Sequence, residues 1–306
     1  MNNKIVIGSR GSRLAMIQAE SVARELRQSR PDVDIEIIKI VTEGDRNRSV
    51  SIDLAGDTGI FVKALEEALL NCSIDIAVHS LKDLPTVLPP QLCLAAVTER
   101  LDPRDALVAC SPLADLKPGS KIGTGSLRRA VQLKHLRRDL EVCSIRGNVD
   151  SRLRRVSSGQ LEGVIVAAAA LLRLGWSDKI TEYLPLEFFL PAVGQGALAV
   201  EAREGDGRVK EIIGPINHLP TWRAITAERA FLHTVEGGCR APIATLASAQ
   251  DDILEIQAMV SDREGEIIMK DSYRGPADPP QEAGEKLARR MLKAGAAGLI
   301  KDARCR

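Results

Sequence analysis

The stretch Lys121-Ile122-Gly123-Thr124-Gly125-Ser126-Leu127-Arg128-Arg129 passes from a short apolar strand, through a Gly/Ser/Thr turn, into a helix that continues to about Arg138. A strand from Leu140 to Ile145 follows, and Gly163 to Ala168 adds another apolar strand. The same order stands near the N-terminus. Lys4 to Gly8 reads as a strand, Ser9-Arg10-Gly11-Ser12 as the turn, and the next residues to about Arg27 as a helix with Leu14, Ala15, Val22 and Leu26 inward. A second strand from Asp34 to Val41 alternates only loosely and reads as buried, and Asp75 to Val78 is a later apolar strand. Strand, turn, helix and strand, occurring twice, predict two α/β domains of similar topology. Identity between the halves is slight, so the duplication rests on pattern. Such folds gather ligands at the carboxyl ends of their strands. Glu99 to Arg104 reads as a crossover between the halves, and residues 191 to 203 as a second crossing point.

The last third differs. Apolar runs at 243–249, 253–260 and 266–272 are separated by Asp251-Asp252 and by Asp262-Arg263-Glu264-Gly265, which are turn signals, and predict a small antiparallel sheet. Pro276 to Pro280 reads as a linker, and a helix from about Gln281 to Lys293 closes the domain. Ahead of the sheet, residues 221 to 235 form an amphipathic pattern with Ala224, Ala227, Phe231 and Val235 on one stripe. Gly237 and Gly238 end that helix, because glycine takes the left-handed cap conformation without steric cost. Cys239 therefore falls on a loop, where it reads either as an idle thiol or as a thiol that carries something.

A length of 306 residues suggests two or three domains. The formal net charge of +1 disfavours a general binder of nucleic acid or of membrane surfaces. With only 3% aromatic residues, the cores must be built from Ile, Leu, Val and Ala. Six cysteines without CxxC pairing or His-rich spacing predict neither a metal site nor a disulfide framework. The N-terminus lacks a signal-peptide pattern and no apolar run reaches membrane-spanning length, so the expected location is the cytoplasm, with reduced thiols.

Both Gly/Ser turns lie where a strand feeds a helix, and exposed N–H groups there favour an anion. Arg10 and Ser12 in the first, and Thr124, Ser126, Arg128 and Arg129 in the second, add side-chain donors; Ser12 and Ser126 read equally well as helix caps. From Arg128 to Arg155 there are nine Lys/Arg against three Asp/Glu and no aromatic residue, which fits a small polyanion better than a base-stacking nucleic-acid site. Arg146, at a strand end beside Gly147, and Arg152 one to two helical turns on are placed to grip carboxylates or phosphates. The run Val78-His79-Ser80-Leu81-Lys82-Asp83-Leu84-Pro85 gathers four polar side chains at the end of a buried strand. His79 reads equally as a satisfied core histidine, and Lys82 with Asp83 as a surface ion pair. A catalytic Asp83 would hold a developing cation or exchange a proton.

Taken in order and spacing, these pieces resemble the porphobilinogen deaminase (hydroxymethylbilane synthase) family over nearly the whole chain. The resemblance rests on the Arg10/Ser12 turn, Gly59-Ile60-Phe61-Val62-Lys63, the run 78–85, Gly123 to Arg129, Arg146-Gly147-Asn148, Arg173-Leu174-Gly175, the Pro191 to Ala197 run, Thr226 to Ala230 and Gly237-Gly238-Cys239. It implies two periplasmic-binding-protein-like α/β lobes around a cleft, 1–98 with 197–214 and 102–190. A small α+β C-terminal domain, 219–306, has a three-stranded antiparallel sheet. It further implies a monomeric transferase that joins four porphobilinogens head to tail with release of ammonia, on a dipyrromethane cofactor held by a thioether to Cys239.

The catalytic residue is then Asp83. Arg10, Ser12, Ser80, Lys82, Thr124, Ser126, Arg128, Arg129, Arg146, Arg152, Arg173 and Gln195 would bind cofactor and substrate carboxylates, with the arginines facing the cleft, and Phe61 would pack on a pyrrole ring. Neither metal, nucleic acid nor membrane enters this reading. Two departures stand out. Relatives carry two lysines in the loop before Gly59, where this chain has Leu54 and Thr58 with Asp57 between; Gly125 stands where serine is frequent. Rival classes are a two-lobed solute-binding protein without catalysis, which needs no Asp83, and a basic nucleic-acid binder.

Overall fold

In the computed structural model, residues 3–40, 57–235 and 241–304 are described. The first turn motif unfolds into β1 (Lys4–Arg10), α1 (Arg13–Ser29), β2 (Asp34–Ile40), α2 (Asp57–Leu70) and β3 (Ile76–Ser80), with a 3-10 turn at Leu81–Asp83 before β4 (Leu92–Val97). The middle of the chain gives β5 (Asp105–Ala109), β6 (Lys121–Thr124), α3 (Leu127–Leu136), β7 (Glu141–Ser144), α4 (Val149–Ser157), β8 (Gly163–Ala167), α5 (Ala168–Arg173) and a short β9 (Glu182–Tyr183). Then come β10 (Leu198–Arg203), α6 (Gly207–Ile213), α7 (Leu219–Thr234), β11 (Ile243–Gln250), β12 (Ile253–Ser261), β13 (Ile268–Pro276), α8 (Pro280–Met291) and α9 (Ala297–Arg304).

Two five-stranded sheets have the orders β2-β1-β3-β10-β4 and β7-β6-β8-β5-β9. In each, the first three strands are parallel, and the fourth, β10 or β5, runs antiparallel to both neighbours. The two halves thus share one topology, as the repeated strand–turn–helix pattern predicts. Pattern alone misses the fourth strands. β10 lies within the stretch read as a crossing point, and its pairing partners are remote in sequence.

By compactness the chain forms two units, one of residues 1–100 with 197–222 and one of residues 101–196 with 223–306. The chain therefore enters the second unit inside Glu99–Arg104 and leaves it at Gly196–Ala197. Each fourth strand follows one of these passages.

β2 departs from expectation. It is an edge strand with Asp34, Glu36 and Lys39 exposed, and Lys4 pairs with Glu36 at 2.7 Å along the rim. A strand with one open edge needs apolar residues on one face only, which explains its loose alternation. The core of unit 1 is aliphatic. Ile5, Ile7, Ile76, Val78, Leu198 and Val200 pack under α1 and α6, while Leu65, Leu69, Ile74 and Ala77 pack under α2 on the opposite face. No helix among the described residues is long and apolar enough to cross a membrane.

In unit 2 the five-stranded sheet and the antiparallel sheet β11-β12-β13 keep separate cores, joined by a small cluster of Val131, Leu190, Ala244 and Met259. The strand register closes the β11–β12 hairpin at Asp251-Asp252, with Asp251 in the left-handed region at φ 53. β13 runs to Pro276, beyond the predicted end at 272, because its full length pairs with β12. Ala224, Ala227 and Phe231 on α7, and Val235 directly after it, are all buried as the stripe predicts.

On the same helix, the fully buried Glu228 accepts from the Gly194 N–H at 2.7 Å and the Ala247 N–H at 2.8 Å. One carboxylate thus pins the 191–197 turn and β11 to α7. Glu228→Ala should destabilise the protein by about 2–5 kcal/mol, since two buried N–H groups lose their acceptor. Thermal or urea melts check this; an unchanged midpoint would mean that turn and strand stay in place without the carboxylate.

Candidate active site

In unit 1 the elements converge at the carboxyl ends of β1 and β3. Ser12 caps α1, its hydroxyl accepting from the Ala15 N–H at 3.3 Å, and this holds Arg10 at the end of β1 beside the first helical turn. β3 stops at Ser80, whose extended backbone turns into Leu81–Asp83. Leu81 is buried, and its N–H donates to the Ala197 carbonyl at 3.1 Å. With that anchor inward, Lys82 and Asp83 are half-buried on the outer side of the turn. Arg10, Ser12, Gln18, His79, Ser80 and Asp83 line one recess of about 90 Å³, and Leu14, Ala15, Val62 and Val78 form its apolar wall. Gln18 Nε2 donates to Ser80 Oγ at 2.8 Å across it. Four predicted residues, Arg10, Ser12, Ser80 and Asp83, are therefore brought together; Lys82 lies outside the lining. Gln18, not foreseen, belongs to the recess. It belongs to the buried stripe of α1, an amide among Ala15, Ala19 and Val22.

The equivalent turn of unit 2 follows β6. Ser126 caps α3 by accepting from the Arg129 N–H at 3.5 Å, and Thr124 Oγ1 accepts from the Ser126 N–H at 3.2 Å. Gly125 is explained by its neighbour. A Cβ there would lie 2.6 Å from the Ile145 carbonyl oxygen, so a serine would force the two turns apart. Beyond β7, Arg146 is exposed, and Gly147 at φ 109 takes a conformation that side chains resist. Asn148 caps α4 by accepting from the Ser151 N–H at 2.9 Å, and Arg152 Nε donates back to the Gly147 carbonyl at 2.8 Å. Arg173, at the end of α5, is half-buried and donates to the Gly196 carbonyl at 2.8 Å.

Arg128 and Arg129, expected to bind ligand carboxylates, are engaged first by a carboxylate of their own chain. Both are only 5% exposed, and both close on Asp105, which is fully buried at the start of β5. Arg128 Nη1 donates to Asp105 Oδ2 at 2.7 Å and to the Leu190 carbonyl at 2.7 Å. Arg129 donates to Asp105 Oδ1 through Nε at 2.9 Å and Nη2 at 2.7 Å, and to the Ile165 carbonyl at 3.2 Å. Gln195 Nε2 reaches Asp105 Oδ1 at 2.9 Å and the Pro103 carbonyl at 2.8 Å. Burial pushes the Asp105 carboxyl upward; the two guanidiniums outweigh it and hold the group well below the usual carboxylate range. One carboxylate faces two guanidiniums, so the cluster keeps an excess positive charge, and Arg128 Nε is buried with no hydrogen-bond partner among the described residues. An anion is the natural complement.

Asp105 was not anticipated, since Asp-Pro-Arg-Asp reads as a polar connector. The only sequence signal is that Ala106 to Ala109 directly after it is apolar. Cys239, Leu54 and the side chains of Phe61, Asp57 and Thr58 lie outside the described residues, so the roles read for them there are not addressed by the geometry.

An α/β fold with an aspartate and an arginine at one strand-end recess, and a positively charged cluster at the equivalent turn of the other half, has the make-up of a protein that handles a small polyanion. Residues 5–211 match the family described as porphobilinogen deaminase, dipyromethane cofactor binding domain, and residues 222–293 match the porphobilinogen deaminase C-terminal domain. A porphobilinogen deaminase of Syntrophomonas wolfei subsp. wolfei is 46% identical over 304 residues, covering 97% of this chain and 98% of that one. Another, from Gloeobacter violaceus, is 42% identical and covers 98% of this chain and 94% of its own. The chain belongs to the porphobilinogen deaminase family. Among solved structures, the methionine-binding protein MetQ is 12% identical with a TM-score of 0.45, covering 71% of this chain and 91% of that one.

Asp105→Asn should destabilise the protein at neutral pH by about 3–5 kcal/mol, because two buried guanidiniums lose their shared counter-charge. The folded carboxyl is held below its unfolded value, so its stabilisation is complete above the unfolded pKa of about 3.9 and is lost as pH falls below that range. The gap between wild type and variant should therefore narrow in acid. Urea melts at pH 7 and below pH 4 check this, and a gap independent of pH would exclude the charge explanation.

Proposed function

We propose that this chain is a transferase that condenses four porphobilinogens head to tail, with loss of ammonia at each step and final hydrolytic release of the linear tetrapyrrole hydroxymethylbilane. The growing chain is carried on a dipyrromethane attached through a thioether to Cys239. The observation that carries this reading is the family match over almost the whole chain, joined to a recess that sets Asp83 beside Arg10, Ser12 and Ser80. The reading takes with it a cytoplasmic, monomeric enzyme, and the three-domain division 1–98 with 197–214, 102–190 and 219–306.

The donor set fits the cofactor. Each pyrrole of such a chain bears two carboxylates, and this protein offers arginines at two strand-end turns, with an unmatched positive charge at Asp105–Arg128–Arg129. When bound, the dipyrromethane supplies the free pyrrole carbon on which elongation proceeds. Arg128 would contribute its unpartnered Nε toward a carboxylate, whereas Arg129, with Nε, Nη1 and Nη2 all engaged, would act mainly by charge. Arg146, Arg152 and Arg173 would take later carboxylates, with Thr124, Ser126, Lys82 and Gln195 as further donors or supports. Phe61 would pack on a ring.

Asp83 accepts a pyrrole N–H and opposes the positive charge that develops on the ring as ammonia departs. It is suited to this by position. The turn that carries it is fixed by Leu81, and among the described residues of the recess lining its charged companion is Arg10, which is suited to the substrate carboxylate.

Intact-mass measurement of protein purified from porphobilinogen-making cells tests the reading. The expected result is an adduct the size of a dipyrromethane, lost in Cys239→Ser; an unmodified wild-type mass would overturn it. Separately, Asp83→Ala should lower the rate of bilane formation on the order of a hundredfold or more while the protein still folds. Near-normal production by this variant, measured by the absorbance of the oxidised product, would remove Asp83 from the chemistry.

A further inference from the structure

Beneath the recess lies a cluster of buried titratable groups to which the chemistry above gives no role. β3 and β10 are antiparallel neighbours, with His79 opposite Ala199 and Ala77 opposite Glu201. His79 and Glu201 are thus diagonal partners on one sheet face, the face that also carries Ala77 into the core under α2. His79 Nε2 lies 3.0 Å from Glu201 Oε2, and the two residues are 6% and 0% exposed. Glu201 reaches no solvent and does not line the recess; His79 does. The second carboxylate oxygen, Oε1, is buried with no hydrogen-bond partner among the described residues.

A buried carboxylate that spends one oxygen on an imidazole and leaves the other unmatched is a poor device for stability, because burying its charge costs several kcal/mol. Its neighbour Glu66, buried on α2, bears the consequence. Burial pushes the Glu66 carboxyl upward, and the charge of Glu201 adds to the push against the opposing pull of His79 and Lys63. An apolar residue at 201 would suit its place in the strand, where Leu198, Ala199, Val200 and Ala202 are apolar and buried and only the terminal Arg203 is not. The carboxylate therefore needs a reason, and the contact it makes is with the wall of the recess.

We propose that Glu201 and His79 form a positioning pair for the reaction at Asp83. Glu201 accepts from His79 Nε2–H and fixes the ring in the recess wall; through the end of β3 the ring holds Ser80 and the turn that presents Asp83. Neither residue is assigned a bond-making step. The inference rests on the reading of the recess given under Proposed function.

The test uses the full-length, cofactor-bearing enzyme with Glu201→Ala and Glu201→Gln. Glutamine keeps the volume and offers a carbonyl oxygen to the same His79 N–H. Glu201→Ala should lower kcat about tenfold or more with KM for porphobilinogen within about twofold, as misplacement of a reacting group does, while Glu201→Gln recovers most of the loss. If Glu201→Ala does not fold, His79→Asn is read in its place against the same split. A wild-type kcat in the alanine variant, an equal loss in the glutamine variant, or losses that merely track the melting temperature would overturn the pair. Failure of the underlying reading looks different, since the wild-type protein itself would then carry no adduct and form no bilane.

Discussion

Asp105 is a carboxylate with no access to water, and the arrangement of unit 2 follows from how its charge is met. Taking a carboxylate out of water costs several kcal/mol unless its oxygens are fully engaged. Here they accept from Arg128, from two nitrogens of Arg129 and from Gln195. Those donors come from the first turn of α3 and from the turn before β10, so one side chain ties three segments together. The arginines are themselves awkwardly placed, since the N-terminal end of a helix is already positive and disfavours cations. Asp105 makes the placement tolerable without cancelling it. The result is a rigid, preorganised surplus of positive charge at the head of α3, which is what a polycarboxylate ligand requires and what a stability-driven design would avoid.

Unit 1 repeats the logic with different residues. Its fourth strand, β10, is the topological counterpart of β5, and it too carries a fully buried carboxylate, although Glu201 lies opposite Ala77 near the start of β3 while Asp105 lies opposite Ala167 at the end of β8. In one unit the fourth strand delivers Asp105 against two arginines; in the other it delivers Glu201 against His79. Both fourth strands arrive from a passage of the chain between units. In unit 1 the carboxylate comes from a segment 122 residues from its partner, whereas in unit 2 the whole Asp105 cluster lies within residues 101–196.

That origin explains what could be read in advance. Strand–turn–helix order, the Ser12 and Ser126 caps and the Ala224/Ala227/Phe231/Val235 stripe depend on neighbours within a few residues, and all appear where local physics places them. Arg10, Ser12, Ser80 and Asp83 share a recess because two strand ends adjoin, which the repeated pattern implies. Asp105, Glu201 and Glu228 escape the same reading. A charged residue in or beside an apolar run looks like an exposed position, and its partners lie 23 and 24, 122, and 19 and 34 residues away. Periodicity carries no information about such pairings. For the same reason the arginines of α3 read as ligand donors, when their first commitment is to a carboxylate of their own chain.

The turn that carries Asp83 shows how far the chemistry depends on these long pairings. Leu81, its buried anchor, is held by the carbonyl of Ala197, the first residue of unit 1 after the chain returns. The preceding carbonyl, of Gly196, is held in unit 2 by the Leu101 N–H and by Arg173. Two successive peptides are therefore fixed to different units, one to the base of the Asp83 turn and the other to an arginine read as a ligand donor. The Arg173 side chain and the Asp83 turn are thus each anchored to one of two adjacent, buried carbonyls, Gly196 and Ala197.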